Sequence, residues 1–194
     1  MQTLSSITEL DSVNIMLSTI GEAPVNSLSG SETTVDVSLA KQILREITIQ
    51  VQATGWHFNT EKDLLLPVDF AGNINVPVNC VQVDSTGKDN NIDVTQRGSL
   101  LYNRTTHSYL FTNPLLVDMI VLLDFNEIPQ AARNYIAIRA ARVFQQRMVG
   151  SDTLATFTSK DEALARAALK KLDSNNADYN ILTGSWSVAR ILTR

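Results

Sequence analysis

Apolar residues recur with helical spacing at both ends of this chain and with strand-like alternation in its middle, and that change of period limits the folds open to it. A period near four residues buries one stripe of a helix, whereas a period of two buries one face of a strand. No single layer type can therefore absorb the whole chain. Read from the start, the order is two helices, a block of short strands, then two helices. The predicted class is α+β: a helical bundle of two N-terminal and two C-terminal helices, with an inserted, mainly antiparallel β region. The corresponding segments are 1–63 for the N-terminal helical hairpin, 64–127 for the β region, 128–179 for the C-terminal helices and 180–194 for a closing tail.

Leu10, Val13, Leu17 and Ile20 share one face of a helix over 9–21, which Gly21 and Pro24 should end. Val35, Leu39, Ile43, Ile47 and Val51 repeat every four residues over 34–54, with Gly55 as the expected C-cap. A short connection between two such helices predicts an antiparallel hairpin. Bulky Trp56-His57-Phe58 should close its end. From 64 to 125 the runs shorten: Leu64 to Leu66, Ile74 to Val76, Val81 to Val83, Ile92 to Val94, Leu100 to Tyr102 and Val117 to Asp124. Gly72-Asn73, Asn90-Asn91 and Arg97-Gly98 are turn signals between them, as expected of antiparallel strands. Helical spacing returns at Pro129, and Ser159 with Glu162 forms a capping-box pattern for a last helix over 158–174. Residues 176–194 carry Tyr179, Ile181, Leu182, Trp186, Val188, Ile191 and Leu192, too apolar a set to stand free in water.

Composition then removes function classes. Apolar residues are 44% of the 194, enough for a packed core. The longest run of large apolar residues, Met119 to Leu123, falls far short of the ~20 that cross a bilayer. A single cysteine, Cys80, rules out an intrachain disulfide or a CxxC zinc site, and two histidines, His57 and His107, leave little for metal or triad chemistry. The formal charge of −4 is unevenly placed: −5 over 1–63, −4 over 64–127 and +5 over 128–194. Either the two ends cancel within one folded unit, or they form complementary patches for head-to-tail association. Only the last third is basic, which argues against a base-reading DNA regulator.

An enzyme is the second class to weigh. A glycoside hydrolase needs two placed carboxylates, and the nearest sequence pairs are Asp124 with Glu127 and Asp161 with Glu162. Both pairs fall at expected helix starts, where the helix dipole favours acids without any catalysis. No catalytic, cofactor-binding or metal-binding residue is assigned, and no cofactor is expected.

Five segments together resemble the tail tubular protein A family, the adaptors of short-tailed, autographivirus-type phages. They are Ser12-Val-Asn-Ile-Met-Leu-Ser-Thr-Ile-Gly-Glu-Ala-Pro-Val-Asn-Ser-Leu28, Gly55-Trp-His-Phe-Asn59, Arg97-Gly-Ser-Leu-Leu-Tyr-Asn-Arg104, Leu123-Asp-Phe-Asn-Glu-Ile-Pro129 and the closing Ile191-Leu-Thr-Arg194. The resemblance implies a structural protein of the virion tail, assembled in the host cytoplasm. It implies a dodecameric ring beneath the portal protein, joined below to a nozzle, the tail tubular protein B. Tail fibres would dock near that junction. Genomic DNA would pass through the lumen without sequence-specific binding, and no membrane is involved.

Ring closure by rotation needs two different surfaces on each copy. Arg139 and Arg142 are the candidates for a subunit contact with an acidic patch on the neighbour. A solvated or intrachain-paired helix face is the alternative for them. Trp186, Ile191 and Leu192, with Arg194 at the rim, are the candidates for docking to the portal; covering its own bundle is the alternative for this tail.

Overall fold

The computed structural model describes residues 6–29, 34–150 and 152–176, with the helical backbone alone for 152–158. Its elements run α1 Glu9–Ser18, α2 Val35–Gln52, β1 Thr60–Leu66, β2 Cys80–Ser85, β3 Val94–Arg97, β4 Leu100–Asn103, β5 Leu115–Val121, α3 Gln130–Met148 and α4 Asp152–Asn176. Four helices and a mainly antiparallel strand block give the expected α+β class among the described residues. The chain divides into two compact units, residues 1–40 with 129–194 and residues 41–128, so the boundary falls inside α2.

In the first unit, α1 packs on α3 and α3 on α4. Thr8 caps α1: its hydroxyl accepts from Asp11 N at 3.1 Å, and the Asp11 carboxylate accepts from Thr8 N at 2.9 Å. This capping box uses Asp where the common pattern has Glu or Gln. The segment after α1 is held against it by Asn14, whose amide pairs with both backbone groups of Val25 at 2.8 and 3.0 Å. The start of the chain is tied to α3 by Ile7 N donating to Gln130 Oε1 at 2.9 Å and by Arg133 Nη1 donating to Ile7 O at 3.1 Å. Alanines at 132, 137 and 140 are buried on α3, beside Tyr135, Ile136 and Phe144. Small side chains here let neighbouring helices approach closely.

One local expectation fails. The last helix starts at Asp152, so Ser159 and Glu162 lie within it and form no capping box. A residue spacing of three also places two side chains on one face of a continuing helix. Glu162 uses that face to reach α3.

In the second unit, β5 is the central strand, with β1 and β2 antiparallel on either side. Its residues alternate strictly between buried and half-buried, as a strand covered on one face must. β3 and β4 form a separate hairpin. Ile74, Leu101 and Val117 are fully buried in one cluster with Leu66, Leu115 and Met119. The apolar run Ile74 to Val76 makes only isolated bridges, to Val68 and Leu100. Pro77 follows it and has no N–H to extend a ladder.

The Gly55-to-Asn59 segment is a joint between α2 and this sheet. Gly55 has φ +74, which favours glycine, and a Cβ there would lie 2.6 Å from Ile120 Cδ1 and push that side chain aside. Trp56 Nε1 donates to Val51 O at 2.7 Å, and Trp56 N donates to Asn59 Oδ1 at 2.8 Å. Asn59 Nδ2 donates to Gln52 O and Val121 O, both at 2.9 Å. Gln52 pairs through its own side chain with Leu123, accepting from its N–H at 2.8 Å and donating to its carbonyl at 3.0 Å.

Folding also redistributes the charge. The first unit holds ten basic and ten acidic residues and sums to zero; the second holds six and ten and carries the whole −4. The acidic front and basic back of the sequence thus largely neutralise each other where the N- and C-terminal helices share one unit.

Candidate functional site

Of the carboxylates that a catalytic reading would need, Asp124, Glu127 and Glu162 are engaged in local structure. Asp124 and Glu127 close a 3-10 turn, with Asp124 N donating to Glu127 Oε2 at 3.3 Å. Glu162 is held by two arginines of α3, while Asp161 lines a groove. His107 sits at φ +54 in the turn after β4. Burial raises the Cys80 thiol above the usual range, away from a reactive thiolate, with a smaller opposing effect from the Gln82 backbone. Among the described residues no group of three or more His, Cys, Asp or Glu could hold a metal ion, and no helix is long and apolar enough to cross a membrane.

Arg139 and Arg142 are brought together by the fold. Arg142 Nε donates to Glu162 Oε2, and Arg139 Nη1 lies 3.6 Å from Glu162 Oε1 and 3.0 Å from the Tyr135 hydroxyl. The Arg142 side chain is 28% exposed and that of Arg139 32%. Trp186, Ile191, Leu192 and Arg194 lie outside the described residues.

Two surface features were not legible as sites in the sequence. The first is an apolar groove of about 520 Å³ among α1, α3 and α4, lined by Ile15, Ile138, Ala141, Leu164, Ala165 and Ala168. Arg142 and Asp161 stand at it as the charged members. Leu164 is 70% exposed and Ile15 39%, so the groove opens to water. The second is a turn in the other unit, from Asp69 to Asn73, which projects Phe70 at 114% exposure. Gly72-Asn73 marks the turn in the sequence, but nothing local says that the preceding Phe points outward.

That turn is rigid for identifiable reasons. Asp69 Oδ1 accepts from Ala71 N at 2.9 Å and Asn73 N at 2.8 Å, and Oδ2 accepts from Asn75 Nδ2 at 3.2 Å. Asp69 N donates to Asn73 O at 2.8 Å, and Phe111 N to Gly72 O at 2.8 Å. Leu110, 64% exposed, lies against Gly72. Behind it Tyr109 meets Tyr102 edge-on at 4.9 Å, and the Arg97 guanidinium sits 3.6 Å over the Tyr102 ring.

Backbone donors hold the Asp69 carboxyl below the usual aspartate range, the Asn73 N–H most strongly. Thr8 does the same for Asp11, first through its backbone N–H and then its hydroxyl. A carboxyl with a depressed folded pKa stabilises its turn above the unfolded value of ~3.9. That contribution is lost as pH falls through the lower folded value. In an NMR titration the amide protons of Ala71, Asn73 and Thr8 should therefore hold their shifts to below pH ~3.9. Midpoints at or above that value would contradict the bonding described.

The resemblance segments account for most of these joints: Asn14 with Val25, Trp56 with Val51, Asn59 with β5, and Arg97 with Tyr102. All are positioning contacts, as a structural part requires. A sequence profile for the tail tubular protein family matches residues 10–179, through both units. The chain belongs to the tail tubular protein family. A curated relative, the tail tubular protein A of Klebsiella phage KP34, is 27% identical over 165 residues, covering 84% of this chain and 86% of the relative. As a member of a structural family, the protein is a component of a phage virion tail.

Proposed function

We propose that the chain is the adaptor subunit of a short phage tail. Copies close into a dodecameric ring that joins the portal protein to the tail nozzle, offers a junction for tail fibres and surrounds the DNA channel. The observation that carries this reading is the family match running from residue 10 to 179, with a relative named tail tubular protein A covered along nearly all its length. A net charge of −4 placed on one unit is in keeping with a passage that does not grip phosphates, because each Lys or Arg contact to phosphate strengthens binding.

Within that role, segment 180–194 engages the portal, with Trp186, Ile191 and Leu192 as apolar anchors and Arg194 as a rim contact. Arg139 and Arg142 lie at the subunit contact, facing an acidic patch of the neighbouring copy. A double Arg-to-Glu variant would also break their pairing within the chain, so ring loss in it is informative only if the fold survives.

Electron microscopy of the purified chain, alone and mixed with portal, tests the assignment. Twelve-fold rings or capped portals are expected, with capping lost when 180–194 is removed. A chain that stays monomeric and leaves portal bare would overturn the assignment; capping that survives the truncation would overturn the arm.

A further inference from the structure

We propose that neighbouring copies are joined by the Phe70 turn of one seated in the α1–α3–α4 groove of the next. The inference rests on the ring reading above and names the surfaces that make the ring. A heterologous contact needs two unlike, complementary patches on every copy. The turn and the groove are such a pair, one projecting and one recessed, carried by different units of the chain.

Both patches are apolar and open to water. Phe70 and Leu110 stand out on the second unit, and Ile15 and Leu164 are exposed in the groove of the first. A solvent-facing Phe on a turn tied by Asp69 loses little conformational freedom when it docks, which is the property of an effective anchor. The groove, about 520 Å³, lies within the range that buries an aromatic group with its flanking side chains. Its small members, Ala141, Ala165 and Ala168, leave room for a ring between the larger Ile138 and Leu164.

Charge selects a copy of the same chain as the occupant. The unit bearing Phe70 carries −4. The groove is walled by α1, with two acidic residues and no base, by α3, with four arginines and no acid, and by α4, whose four basic and four acidic residues cancel, so the three helices together carry +2. Acidic turn unit on basic groove helices is favourable, whereas two turn units facing each other repel. The arrangement therefore favours head-to-tail over two-fold pairing, and it brings Arg142, a groove residue, to the subunit contact.

The test uses the full chain with portal. Phe70→Asp and Leu164→Asp should each weaken ring assembly at least about tenfold by sedimentation, while Phe70→Trp keeps it. Both side chains are largely exposed, so circular dichroism should show an unchanged fold. In assembled rings, a photoreactive benzoylphenylalanine at position 70 should capture residues 138–142 or 161–168 of another copy. If wild-type rings form and both Asp variants form them equally well, the contact is wrong and the ring reading stands. Capture elsewhere, or occupation of the groove by segment 177–194, likewise overturns the contact alone. If the wild-type chain forms no ring with or without portal, the ring reading fails and this inference with it.

Discussion

An Asn59→Ala chain should lose about 3–5 kcal/mol of the stability of the unit spanning 41–128. Asn59 is fully buried and uses three hydrogen bonds, to Trp56 N, Gln52 O and Val121 O. Truncation strands the Trp56 N–H and takes a donor from Val121 O and from Gln52 O, which keeps the Gly55 N–H, each loss costing about 1–3 kcal/mol less whatever relaxation recovers. It also frees the turn that starts β1. Asn59→Asp should fare no better, because a carboxylate would face the two carbonyl oxygens that the amide now serves. Urea unfolding followed by Trp56 fluorescence, in a Trp186→Phe background, isolates this joint. A loss below about 1 kcal/mol would show that the joint does not hold the unit together.

Glu162→Ala should cost the other unit about 1.5–3 kcal/mol. The carboxylate is 14% exposed and is shared by Arg142 and Arg139. α3 offers no acid of its own to take its place. Removing it leaves two partly buried guanidinium groups beside an apolar groove. The figure sits below that of a fully buried pair because about a third of each arginine reaches water, where screening reduces the gain. A double-mutant cycle on Arg142 and Glu162, read by urea unfolding at two salt concentrations, checks this. A coupling near zero at both would refute the pairing.

What was legible in the sequence followed from local periodicity and local backbone demands. The four-residue repeat of α2, the apolar run of β5 and the Gly55 cap are dictated by which face of an element must leave water and which φ a residue can adopt. The resemblance segments were readable for the same reason: Asn14, Trp56 and Asn59 serve turns close to them in the chain, although Asn59 also reaches β5. Partners distant in sequence were not readable. Ser159 and Glu162 match a helix start, yet the backbone had already turned helical at Asp152, and Glu162 is fixed instead by arginines a helix away. The charge gradient of −5, −4 and +5 is a property of the string. Once the two ends share a unit it vanishes there, and the excess of acid appears on the β unit. Phe70 reads as one more apolar residue until Asp69 and Leu110 hold its turn outward, and the groove exists only because three helices from both ends of the chain converge. The sequence by itself determined the elements and the joints between adjacent ones, because backbone geometry and burial period act over a few residues. Only the tertiary structure decided which charges are neutralised and which apolar groups are left facing water, because both depend on contacts between segments far apart in the chain.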